Sequence, residues 1–102
     1  LTYREENKMK TFFITNRYSF LETQVNEYMQ SLLVKTPEQV ILYFERQIRK
    51  YKVYLQKKHH YPECMVQSIH RLIEEYSLII IRVKKYISYQ NKLMNKQLLE
   101  PQ

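Results

Sequence analysis

His59, His60, Cys64 and His70 carry the atoms that hold zinc or do nucleophilic chemistry, and they lie close together in the chain. Thiolate sulfur and imidazole nitrogen are common zinc ligands, but structural sites draw them in spaced pairs. No CxxC occurs here, and adjacent histidines rarely both reach one ion. Cys64 follows Pro62 at the start of a helical segment, where the positive end of the helix favours a thiolate. The chain contains no Asp to orient a histidine base beside that thiol, so no nucleophile–base pair is completed. Glu74 and Glu75 form the remaining carboxylate pair. Neighbours on a helix point about 100° apart, so these two do not share a substrate. Glu74 follows His70 by four residues and Arg71 by three, an ordinary surface pairing. The reading is a protein without catalytic residues, without a metal site and without a cofactor.

The composition points the same way. There is no Gly, and no Ala, Asp or Trp. Phosphate-cradling loops and nucleophile elbows need backbone positions without a Cβ, so nucleotide loops of the familiar kinds are excluded. Tight hairpins also lean on Gly, which disfavours a β-rich fold. The single Cys64 excludes an intrachain disulfide and favours a reducing compartment. Lys and Arg number 17 against 10 Asp and Glu, a net charge of +7, which suits nucleic acid, an anionic membrane surface or acidic protein partners. The longest apolar run, Leu78 to Ile81, is far too short to span a membrane. No secretory leader is expected, because Arg4, Glu5, Glu6, Lys8 and Lys10 precede no apolar stretch of adequate length.

Helix punctuation is clear. Thr36, Pro37 and Gln39 give an N-cap, a proline in the first turn and an amide three residues after the cap. Pro62 and Glu63 mark another start. Ser19 with Glu22 reads as a capping box, and Thr2 with Glu5 as the cap of a short first helix. These starts predict helices near 3–14, 20–35, 37–58 and 62–98. The connections at Lys35-Thr36 and at residues 59–61 are short and make neighbouring helices antiparallel. The expected fold is therefore all-α, one domain over 1–102: an antiparallel bundle of three to four helices with a long C-terminal helix.

Apolar residues recur in steps of three and four through each segment. Leu21, Val25, Tyr28 and Leu32 form one stripe, and Ile41, Phe44, Ile48, Tyr51 and Leu55 a second. The last segment carries a coiled-coil-like seam that runs from Met65 through Ile69, Leu72, Tyr76, Ile79, Val83, Ile87 and Gln90, its one polar interruption, to Met94. A helix over 62–98 is about 55 Å long and overhangs its shorter neighbours from Tyr86 onward. The N-terminal segment, a second copy or another protein must cover that overhang, unless the helix breaks near Asn91. Leu78 and Ile81 point away from the seam, so the middle of this helix is apolar nearly all round. Residues 68–76, with Leu72, Ile73 and Tyr76, resemble the second helix of small sporulation aspartyl-phosphate phosphatases. The acidic residue which that family's motif requires is His70 here, so the activity is not implied.

Two surfaces follow. Leu78, Ile81, Tyr86, Ile87, Tyr89 and Met94 form a candidate interface for a protein partner or a second copy. Tyrosine suits such a surface because it offers contact area with few rotors and a polar tip. Arg46, Arg49, Lys50 and Lys57, flanked by Tyr43 and Tyr54, form a candidate nucleic-acid surface, with cations for phosphates and rings for stacking. Residues 37–61 carry six basic and two acidic side chains. The functional expectation is a small basic interaction, assembly or regulatory module that self-associates through its long C-terminal helix. The alternative is a nucleic-acid-binding regulator or ribonucleoprotein component that uses the third helix. The expected location is intracellular: the cytoplasm, or the nucleoid or nucleus if nucleic acid is the partner.

Overall fold

A computed structural model describes the backbone of residues 3–99 and the side chains of residues 17–95. Among the described residues there are three α-helices and no strand. They are α1 (Tyr3–Leu32), α2 (Pro37–Gln56) and α3 (Glu63–Leu99), with a short 3₁₀ turn at Lys58–His60 before α3. No helix is long and apolar enough to cross a membrane, again among the described residues.

The two N-terminal helices expected near 3–14 and 20–35 are one continuous helix of 30 residues. Ser19 is not a cap: its carbonyl accepts a bond from Thr23 Oγ1 at 3.0 Å, as an interior helical carbonyl can. Nothing between residues 14 and 20 forces a stop. That stretch has no Gly or Pro, and Ser costs a helix interior only a few tenths of a kcal/mol. The proposed cap at Thr2 lies outside the described residues.

α1 ends at Leu32 in a Schellman arrangement. Val34 N–H donates to the Met29 carbonyl at 3.0 Å and Leu33 N–H to the Gln30 carbonyl at 3.3 Å. The reversal needs one residue at positive φ, a place usually taken by Gly. Here it is Leu33, at φ 57°. Val34 and Met29 both pack against the core, which supplies the apolar contact that accompanies this motif.

α2 opens as its sequence predicts. Gln39 N–H donates to Thr36 Oγ1 at 3.3 Å, and Gln39 Oε1 accepts from Thr36 N–H at 3.1 Å and from Lys35 N–H at 2.8 Å. Pro37 follows the cap, where its missing N–H costs nothing. Tyr61 is extended, as a residue before proline prefers to be, and the Pro62 carbonyl accepts the first bonds of α3 from Met65 and Val66.

The core is one cluster with members from all three helices: Leu21 and Val25 of α1, Val40 and Phe44 of α2, and Ile80, Val83 and Tyr86 of α3. Val25, Val40 and Val83 are completely enclosed. No polar or charged residue is buried among the described ones. Phe44 links the helices, meeting Tyr28 edge-on at 5.9 Å and Tyr76 at 5.0 Å. Tyr51 extends the aromatic contact with Tyr76 at 6.2 Å. The packed chain is elongated, 62 × 33 × 20 Å, and α3 with its 37 residues sets the long dimension.

The predicted seam of α3 holds in its middle and departs at its ends. Ile69 and Val83 are buried and Tyr76, Ile79 and Ile87 pack against the core, whereas Met65 and Met94 are exposed and Val66, Ile80 and Tyr86 are buried beside the seam. An α-helix drifts about 20° per heptad against a strict seven-residue repeat. In addition, α3 is covered by different partners along its length: Tyr76 packs on α2, and Tyr86 packs on α1. The apolar face therefore turns around the helix.

Candidate functional site

The six residues proposed as an interface on α3 separate into two groups. Tyr86 is only 6 % exposed and belongs to the core, which corrects its assignment to a free surface. Ile87 and Tyr89 are partly buried against the same core. The cover is α1, which is unbroken and long enough to reach this part of α3. Tyr18 of α1 stacks on Tyr86 with ring centroids 5.5 Å apart and planes inclined by 21°. Desolvation in that contact, followed by hydrogen bonding to Tyr86 and the nearby Glu22 carboxylate, pushes the Tyr18 phenol up to about 12. Tyr76 also rises, through burial first and then through Tyr51, Tyr43 and Glu75.

Leu78, Ile81 and Met94 remain at the surface, 52 %, 49 % and 56 % exposed. Leu78 and Ile81 sit in the middle of α3, on the side away from its buried face. The residues in alternating steps of four and three around them are Arg71, Glu74, Lys85 and Ser88, and all four are exposed. A second seam therefore runs along the outside of α3, apolar at its centre and charged on either side.

The basic surface of α2 is arranged differently. Arg46, Arg49, Lys50, Lys57 and Tyr43 are exposed. Tyr54 is half-buried, edge-on to Tyr61 at 6.1 Å and near Tyr51, so its ring is engaged within the chain. Lys50 Nζ lies over the Tyr51 ring at 5.7 Å. This side of α2 also carries Leu42 and Val53, both exposed, at helical spacing with Arg46 and Arg49. Those apolar residues were not singled out from the sequence, although the four-three-four spacing of residues 42, 46, 49 and 53 was present there.

His59, His60, Cys64 and His70 are all exposed. The rings of His59 and His60 stand 4.0 Å apart. Among the described residues no three His, Cys, Asp or Glu side chains gather where they could hold a metal ion. Glu74 and Glu75 are both exposed on α3.

No family model, no curated protein and no solved structure matches this chain. Leu33 was missed by sequence reasoning. It is 90 % exposed at the corner between α1 and α2, beside a groove lined by Asn26, Met29, Gln30 and Val34. Its position after the last apolar residue of α1, where a glycine commonly stands, is the only signal the sequence offered.

Proposed function

We propose that the chain is a non-enzymatic interaction and assembly module: an antiparallel bundle of three helices that self-associates through the outer face of α3. The short connections at residues 33–36 and 57–62 support the antiparallel arrangement, as do the contacts of Tyr76 with Phe44 and Tyr51. The observation that carries the function is the exposure of Leu78 and Ile81 in the middle of the longest helix. Burying one such side chain contributes about 1.5–3 kcal/mol, so a face that leaves two of them half in water gains by acquiring a partner. Tyr18 of α1 covers the more distal Tyr86, while Leu78 and Ile81 stay about half exposed. Sedimentation over a range of concentrations tests the reading. The average mass is expected to rise with concentration, and Leu78→Lys with Ile81→Lys is expected to return it to that of a monomer. A mass that is independent of concentration contradicts it.

A second reading is favoured by the exposure of Arg46, Arg49, Lys50 and Lys57 together on α2. It is binding of nucleic acid through phosphates, with Tyr43 available to stack. Affinity for duplex or single-stranded nucleic acid should then fall steeply as salt rises, and alanines at the four basic positions should flatten that slope. Leu42 and Val53, exposed on the same side of α2, make it less suited to a purely electrostatic contact, and self-association is accordingly the first reading.

A further inference from the structure

The exposed stripe on α3 is self-complementary in one direction only. Its midpoint lies between Leu78 and Ile81, two apolar side chains of the same volume class. Glu74 stands four residues before Leu78, and Lys85 four residues after Ile81. Arg71 and Ser88 stand three residues further out on either side. Two copies of this helix crossing antiparallel about a two-fold axis through the midpoint place Leu78 on Ile81, Glu74 on Lys85 and Arg71 on Ser88, each pair occurring twice. A parallel pairing in register instead sets Glu74 on Glu74, Arg71 on Arg71 and Lys85 on Lys85, all like charges. Opposite charges about the apolar centre select one orientation, and like charges exclude the other.

Resting on self-association through α3, we infer that the occupant of this face is a second copy of the chain, lying antiparallel, with Leu78 against Ile81 and Glu74 against Lys85 of the second copy. A two-fold contact uses the same patch on both molecules, so the patch must complement itself. This stripe meets that requirement with the residues at its centre. The apolar centre holds only four side chains in the pair. Stable interfaces bury about 1,200–2,000 Å², and this one belongs at the small, reversible end of the scale.

Charge reversal and crosslinking test the inference together. Glu74→Lys turns both ion pairs into repulsions and is expected to weaken dimerisation about tenfold; Lys85→Glu should do the same. Both changes in one chain restore opposite charges and leave the net charge at +7, so dimerisation should return to the level of the unmodified chain. For orientation, the exposed Cys64 is first replaced by Ser. Chains with Leu78→Cys and chains with Ile81→Cys are then mixed and oxidised. The antiparallel pairing predicts that the mixed disulfide forms faster than either homodimer. Faster Leu78→Cys homodimers, or no recovery in the double charge swap, would overturn the pairing while leaving self-association through α3 in place. A chain that stays monomeric at every concentration overturns both. Circular dichroism of each variant separates lost association from lost folding.

Discussion

Leu33 holds a left-handed conformation that a glycine adopts without hindrance, and it does so 90 % exposed. A Cβ in that region costs about 1–2 kcal/mol, and an exposed leucine recovers little of that by packing. Gly at this position is more flexible in the unfolded chain, which offsets part of the gain. Leu33→Gly is therefore expected to stabilise the fold by about 1 kcal/mol, read as a higher midpoint in chemical denaturation. An unchanged or lower midpoint would mean that Leu33 makes contacts that its exposure conceals.

The Tyr18 phenol offers a second test at the same scale. An unfolded tyrosine ionises near 10, and this one near 12. Between those values the unfolded chain has lost a proton that the folded chain still holds. The contribution is therefore complete below about pH 10 and is lost as pH rises through about 12. Solvent reaches part of the ring, so screening reduces the effect. Tyr18→Phe should make the alkaline limb of the stability curve shallower. Parallel limbs for the two proteins would place the Tyr18 hydroxyl in water.

Among the helices, α2 is the one whose sequence predicted most. Thr36, Pro37 and Gln39 form the cap expected of them, and its apolar stripe faces the core. Local rules sufficed there because the start of α2 is decided by residues that touch one another. The N-terminal boundary failed for the opposite reason. Ser19 and Glu22 can cap a helix or sit inside one, and only the continuous packing of α1 along α3, seen at Tyr18 and Tyr86, decides between them. Tyr86 was assigned to a partner's surface with it; of the covers expected for the overhang, the N-terminal segment is the one that lies on Tyr86. The drift of the buried face on α3 was illegible too, because it depends on which neighbour lies alongside at each turn. Phe44 joins the three helices, so Phe44→Ala should cost about 3–5 kcal/mol in denaturant unfolding. A loss below about 1 kcal/mol would mean that α2 is not held by this contact.

Across the whole molecule, a chain with +7 net charge and no buried charge among its described residues distributes its ions over a long, narrow surface. The absence of Gly, Ala, Asp and Trp bears on both joints and surfaces. The helix punctuation falls to Thr36, Pro37 and Pro62, and one corner is forced onto Leu33. The exposed pair on α3 was legible as sequence, since Leu78 and Ile81 lie off the main seam. That the charges about the pair are self-complementary became apparent only once the buried face of α3 was fixed. Hydroxyl-radical footprinting across a dilution series tests this most directly, because it reports on individual side chains. Self-association through α3 predicts that oxidation of Leu78 and Ile81 falls as concentration rises, while that of the exposed Leu42 and Val53 on α2 stays constant. Constant oxidation of Leu78 and Ile81 over a range in which the average mass increases would place the contact elsewhere and contradict the assignment.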